Sequence, residues 1–190
     1  MARDFDVIVI GGGGAGLSAA LEAHAAGASV IVLEADTRLG GATALSGGVF
    51  YAAGTSVQRR AGIADSADAM FAYLMTLNQW SQKPDIIRFV CNESAGAIDW
   101  LIGRGVDFPH DKLVKGGIET VPRAHPSHGA GMGIAEALIN AAGAAGIETA
   151  LGTRVERLLV EDGCVTGVHA GGMDLRAGAT IIILAATTTL

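Results

Sequence analysis

The chain has 190 residues, of which 50% are hydrophobic and 17% charged, with 28 glycines and a net charge of −6. That length holds one domain with a proper core, or a domain and a fragment. An acidic balance with no basic cluster excludes nucleic acid and anionic membrane surfaces as partners. The longest apolar run, residues 179–186 broken only by Thr180, is far short of the ~20 residues of a membrane span and reads as a buried parallel strand. Cys91 and Cys164 are isolated, form no C-x-x-C and read as reduced, packed thiols of a cytosolic protein. The N-terminus enters an apolar run almost at once, too short for a signal peptide, so the expected location is cytoplasmic.

Residues 5–10 are a short apolar run of strand type that ends at four glycines. Gly11, Gly13 and Gly16 stand in G-x-G-x-x-G register. Residues 17–26 read as a helix stopped by Gly27, and residues 29–33 as a second apolar strand that ends on Glu34. In such a βαβ unit the first glycine permits the tight turn, and the second removes the side chain where a pyrophosphate approaches. The third lets the helix pack on the strand. The helix N-terminus offers unpaired N–H groups and a partial positive charge to phosphates. Glu34 is placed to accept hydrogen bonds from ribose hydroxyls and repels a 2′-phosphate, which argues against an NADP-type ligand. The competing reading is a glycine-rich turn that binds nothing. It is weakened because strand, glycines, helix, strand and acid occur in order within one unit.

Residues 35–48 form a second glycine-rich loop, with Thr43 and Ser46 between the pairs Gly40-Gly41 and Gly47-Gly48. Such a loop can lay backbone N–H groups and hydroxyls along an extended ligand; an ordinary surface loop is the alternative. The segments DVIVIGGGGAGLSAA, VIVLEA and GGATALSGG resemble the FAD-binding region of the superfamily that holds fumarate reductases, succinate dehydrogenase flavoproteins and 3-ketosteroid dehydrogenases. The resemblance implies an α/β fold, a Rossmann-like FAD-binding domain of glutathione-reductase type whose parallel sheet carries an inserted antiparallel β-meander. It implies that Gly11, Gly13, Gly14, Ala15 and Gly16 hold the FAD pyrophosphate. Glu34, with Ala35 beside it, takes the adenosine ribose. Gly40, Gly41, Thr43, Ser46, Gly47 and Gly48 run beside the pyrophosphate and isoalloxazine. Respiratory members carry a histidine just before the threonine that bonds covalently to the flavin. Ala42 stands there in this chain, so the resemblance implies non-covalent FAD and speaks against a respiratory succinate dehydrogenase subunit.

Residues 49–60 read as a loop, in which Phe50 and Tyr51 either fill a core or contact flavin or substrate. Asp65 or Ser66 caps a helix running to about Trp80, with Ala69, Met70, Tyr73, Leu74 and Leu77 as its apolar stripe. A second helix covers residues 85–102, with Ile86, Phe89, Val90, Ile98 and Leu101 inward, Pro84 in its first turn, and Gly103 and Gly105 at its stop. Residues 106–131 are irregular and hold His110, Lys115, Arg123, His125 and His128. The histidine spacing matches no metal pattern. The resemblance gives Arg123 or His125 a place near the flavin or substrate; a loop anchored by hydrogen bonds is the equal alternative. A helix follows over residues 132–146, with Ile134, Ala137, Leu138 and Ala141 on one face, and a short strand over residues 147–150. Strands over residues 154–160 and 164–170 are joined by Glu161-Asp162-Gly163, an Asp-Gly hairpin signal. A third strand is expected around residues 173–176, then a return to the parallel sheet over residues 179–185. The resemblance places the backbone of Val155 against adenine and Ala185 at a turn next to the FAD.

The family reads A-T-G-G after that last strand and continues for hundreds of residues. Residues 185–190 lack the glycines. The resemblance therefore covers the first part of an enzyme, and the substrate-capping domain and catalytic residues are expected outside this chain. It implies an FAD-dependent oxidoreductase acting on a C–C bond next to a carbonyl, with wording closer to ketosteroid dehydrogenases than to enoate reductases of fumarate or urocanate type. The expected partners are a small-molecule substrate and either the remainder of the enzyme or a second chain that completes the site. A non-catalytic nucleotide-binding half that needs such a partner is the alternative from another class. An NAD-dependent dehydrogenase is disfavoured by the second loop and the meander.

Overall fold

Strand β1 (Phe5–Ile10) is the axis on which the cofactor-type residues hang, and its Ile8 and Val9 are fully buried. A computed structural model of the chain describes residues 3–183. It resolves into two units, Met1–Leu45 with Ala135–Leu190, and Ser46–Ile134.

In the first unit, β1 lies in a six-stranded sheet of order β5-β2-β1-β8-β7-β6. β2 (Val30–Leu33) and β8 (Met173–Ile182) flank β1 in parallel, with Val7 opposite both Val30 and Ala179. β5 (Glu148–Ala150) adds in parallel to the outer side of β2. β6 (Val155–Glu161) and β7 (Cys164–Ala170) form a hairpin on the other flank. At its turn Asp162 and Gly163 take φ of 51° and 78°, the pair of left-handed residues that an Asp-Gly hairpin demands. The sheet is thus parallel with an antiparallel extension, as the sequence implied.

The connection between the two halves differs from expectation. The third meander strand and the return strand are one strand: β8 pairs antiparallel with β7 over residues 173–176 and parallel with β1 over residues 177–182. Gly178, which lies between the two expected strands, marks a close approach inside the one observed. A β-carbon there would come 2.9 Å from Arg3 Nη1 and 3.2 Å from the Asp6 carbonyl oxygen. Residues 184 and 185 of the expected return strand lie outside the described residues.

Helix α1 (Gly14–Ala25) starts three residues earlier than expected; the glycines of its first turn, with their poor helix propensity, hide that start in the sequence. The second glycine loop is also more regular than expected, since α2 (Gly41–Leu45) forms within it.

The second unit holds a two-stranded sheet, β3 (Val49–Tyr51) against β4 (Ala124–Pro126), and helices α3 (Ser56–Arg60), α4 (Ala67–Leu77) and α5 (Pro84–Ile102). Residues 49–60 are therefore not a loop. Thr55 and Gln58 close a full capping box at the start of α3. Ser66, not Asp65, caps α4, its side chain accepting the Ala69 N–H at 3.1 Å. Along α4, Met70 and Met75 are buried, whereas Leu77 is exposed. The inward face of α5 is Cys91, Ser94, Ile98 and Leu101, while Ile86, Phe89 and Val90 face water. Cys91 packs on Ala53 and Met70, so small residues rather than the largest apolar ones mark the contact. Helix α6 (Ala130–Ala144) buries Ile134, Ala135, Leu138 and Ala142, with the two alanines in place of the expected Ala137 and Ala141. No helix among the described residues is long and apolar enough to cross a membrane.

Candidate cofactor-binding site

The carboxyl end of β1 delivers the chain into Gly11, whose φ of 104° makes the turn that a side chain would strain. α1 then starts at Gly14 with Gly13 as its N-cap and no side-chain cap. A β-carbon at Gly16 would overlap the Gly11 carbonyl oxygen, so this glycine is required by the helix–strand packing itself. Gly13 is different. A β-carbon there would meet only the Gly40 oxygen at 3.8 Å and Gly41 Cα at 4.0 Å, ordinary contact distances. The fold has room for a side chain at Gly13 and does not use it.

The two glycine stretches are stitched together. Gly13 and Gly40 form an isolated parallel bridge, with Gly40 N donating to the Gly12 carbonyl at 2.9 Å. The Thr43 hydroxyl accepts the Gly14 N–H at 3.1 Å, satisfying one of the orphan donors of the first helical turn. Glu34 closes one end. Its Oε2 accepts from Gly12 N at 2.7 Å and its Oε1 from Asp36 N at 2.8 Å. Two backbone bonds leave lone pairs on both oxygens, since an ionised carboxylate has about four acceptor sites. The turn after β5 ties in below, through Glu34 N to the Ala150 carbonyl at 2.9 Å and Thr153 N to the Glu34 carbonyl at 2.8 Å. Val155 begins β6 two residues on, and Ala15 and Ala35 are exposed at their turns. Hydrogen bonds thus tie Gly12, Gly13, Gly14, Glu34, Gly40 and Thr43 into one backbone surface after β1, with Gly11, Ala15, Gly16, Ala35 and Gly41 beside them in sequence.

Gly12 and Leu39 belong to this surface and carried no role in the sequence reading. A β-carbon at Gly12 would overlap Leu39 Cδ2 and lie 3.3 Å from Glu34 Oε2. The run of four glycines was the available signal for it. Ala185 lies outside the described residues.

Ser46, Gly47 and Gly48 fall in the second unit. Ser46 Oγ accepts the Gly48 N–H at 3.2 Å, and its carbonyl accepts Gly131 N at 3.1 Å. The Ser127 N–H and hydroxyl both reach the Gly48 carbonyl at 2.9 Å. A β-carbon at Gly47 would meet nothing within 4 Å. Arg123 and His125, candidates for contact with flavin or substrate, are consumed by the unit's own interior. Arg123 grips Asp65 with Nε at 2.7 Å and Nη2 at 2.8 Å, and only 4% of its surface is exposed. His125 is fully buried. Its Nδ1 faces the Arg123 carbonyl at 2.7 Å and so donates, leaving Nε2 to accept from the Thr55 hydroxyl at 2.9 Å. Burial pushes this imidazole below its ordinary range, which keeps it neutral at pH 7.

Comparison with known proteins gives this geometry its relatives. The chain is 35% identical over 172 residues to a fumarate reductase (cytochrome) of Shewanella frigidimarina, covering 88% of this chain and 30% of the relative. It is 33% identical over 173 residues to a urocanate reductase of Eggerthella lenta, covering 90% and 28%. A solved 3-ketosteroid-Δ4-(5α)-dehydrogenase of Rhodococcus jostii RHA1, in complex with 4-androstene-3,17-dione, superposes with a TM-score of 0.85 at 30% identity, covering 96% of this chain and 46% of that one. The chain thus spans less than a third of the length of these two curated relatives. The family described as FAD binding domain matches residues 6–189, and the chain belongs to it.

Proposed function

We propose that this chain is the FAD-holding part of an oxidoreductase that adds or removes hydride across a C–C bond next to a carbonyl, with ketosteroid dehydrogenase-like chemistry. The observation that carries the reading is the unfilled space over Gly13 inside two stitched glycine loops. The donor set fits FAD: bare backbone and a helix N-terminus for the pyrophosphate, and a carboxylate with spare lone pairs for the ribose. In this reading Gly11, Gly13, Gly14, Ala15 and Gly16 hold the pyrophosphate and Glu34 the ribose, with Ala35 beside it. Gly40, Gly41, Thr43, Ser46, Gly47 and Gly48 flank the rest, with Val155 and Ala185 as backbone contacts. Bound FAD supplies the hydride exchange at its N5 position. The chain's own work is orientation: Thr43 fixes the first helical turn, and Glu34 fixes Gly12 while presenting its remaining lone pairs. With Ala42 as a methyl next to Thr43, FAD is held without a covalent bond. The substrate-capping domain comes from outside these residues, as a further segment or a partner chain, which agrees with the share of the relatives that is covered. Free Cys91 and Cys164 support a cytoplasmic location, which cell fractionation checks.

The identities to fumarate and urocanate reductases favour a second reading, an enoate reductase of that type. Both readings share the cofactor test. Purified chain should quench FAD fluorescence saturably and release intact FAD on denaturation. Replacing Glu34 with Ala removes two charge-assisted hydrogen bonds of about 1.5–3 kcal/mol each, so FAD affinity should fall at least roughly tenfold. Unchanged affinity in a folded E34A chain would show that Glu34 is not the ribose partner.

A further inference from the structure

Helix α5 has two apolar faces, and the second unit covers one of them. Cys91, Ser94, Ile98 and Leu101 are buried. Ile86, Phe89 and Val90 stand in water, 53%, 67% and 46% exposed. Their i, i+3, i+4 spacing sets them on one stripe of the helix. Single exposed apolar residues need no explanation, but three together on one helix mark an interaction surface. Glu93 continues the stripe by one turn, and Lys83 stands at its amino end as the N-cap residue. Both are exposed, and neither makes an ion pair among the described residues. A cation at a helix amino end opposes the dipole, so the Lys83 charge does not stabilise α5 itself.

The stripe is its own complement. Lys83, Ile86, Val90 and Glu93 are spaced symmetrically about the level of Arg88. Across a second copy of α5 laid antiparallel at that level, Ile86 meets Val90 and Lys83 meets Glu93, each contact occurring twice. Phe89 lies beside the apolar centre. Such reciprocity is what a two-fold interface requires, and opposite charges flanking an apolar seam set the orientation of paired helices. A parallel pair would instead set Lys83 on Lys83 and Glu93 on Glu93, which is repulsive. Arg88, the charge nearest the crossing in sequence, is turned to its own unit: it binds Asp68 at 2.6 Å and stacks on Phe71 at 3.7 Å. We propose that the exposed face of α5 is a docking surface for a second copy of this chain, the two helices crossing antiparallel about a two-fold axis.

The test is sedimentation velocity of the purified chain over a concentration series, which should show a monomer–dimer equilibrium. Phe89→Glu sets a charge beside the apolar centre and should weaken the dimer roughly tenfold or more. Lys83→Glu and Glu93→Lys each place like charges opposite one another and should weaken it roughly threefold or more. The double variant Lys83→Glu/Glu93→Lys restores opposite charges and should return to the parent's affinity. All three positions are exposed, so thermal melts should stay near the parent's. The charge variants decide alone if Phe89→Glu melts early. A chain that stays monomeric throughout the series, a folded Phe89→Glu chain that dimerises like the parent, or a double reversal no better than either single change overturns the proposal.

Discussion

Gly13 and Gly16 occupy equivalent-looking positions in one fingerprint but answer to different physics. Gly16 has the Gly11 carbonyl where its β-carbon would be, so Gly16→Ala forces backbone apart and should destabilise the chain by about 1–3 kcal/mol, the usual cost of overpacking. Gly13→Ala meets only ordinary contacts. It should melt within a degree or two of the parent, or slightly higher because alanine restricts the unfolded chain. Its FAD affinity should nevertheless collapse. Thermal melts alongside FAD titrations separate the two, and a Gly13→Ala chain that binds FAD normally would remove the main support for the cofactor site. Spacing alone made these glycines and Glu34 legible in the sequence. What spacing could not convey is that Glu34 grips Gly12, or that Thr43 satisfies Gly14, because those contacts join residues 22 and 29 positions apart.

At the scale of elements, the least legible contact is the ion pair that anchors β4 to the segment before α4. Asp65 read, with Ser66, as one of two candidate helix caps, yet its carboxylate takes the Arg123 fork across 58 residues of sequence, with side-chain exposures of 1% and 5%. Burial alone would raise the Asp65 pKa, but hydrogen bonds from Arg123, from Gln58 and from Ser66 N–H outweigh it and hold the carboxyl below its usual range. Because the folded value lies below the unfolded one, the pair's contribution is complete above the ordinary value of 3.8 and is lost as pH falls through the folded value. Asp65→Asn removes the carboxylate that Arg123 grips, leaving only Glu119 at 4.0 Å as counter-charge, and should cost about 3 kcal/mol at pH 7. The acid limb of its stability profile should be flatter than the parent's between pH 4 and pH 2. Denaturant melts across that range check both points; a loss of under about 1 kcal/mol would mark the pair as surface-like. Helix positions were legible from caps and breakers, since Ser66, Pro84 and Gly103 all bound the helices they suggested. Helix faces were legible only in part: Met70, Ile98, Leu101, Ile134 and Leu138 are buried as expected, and the other expected positions are not. α5 turns Cys91 and Ser94 inward and Phe89 outward, and a periodicity of large apolar residues cannot report a contact made by small ones.

For the first unit as a whole, the parallel and antiparallel halves of the sheet were both legible, and their junction was not, because Gly178 punctuates a pattern that the backbone carries straight through. The consequence is energetic. β8 is hydrogen-bonded to β7 along one half and to β1 along the other, so damage to the meander should reach the cofactor strand. Gly167 offers the lever. A β-carbon there would overlap the Leu175 carbonyl oxygen of β8, so Gly167→Ala must push β7 and β8 apart. Val168 and Ala170, buried in β7, pack in the same cluster as Ile8, Ile31 and Leu33, which gives the disturbance a second route through side chains. Native-state hydrogen exchange should therefore show the amides of Ile8 and Val9 losing protection together with those of Val168 and Ala170, as one cooperative unit. FAD affinity should weaken in step, since Gly11 N is held by the Leu33 carbonyl at the very end of that sheet. Exchange that accelerates only in β6 and β7, with β1 unmoved, would show that the two halves are energetically separate and that the shared strand transmits nothing to the glycine loop.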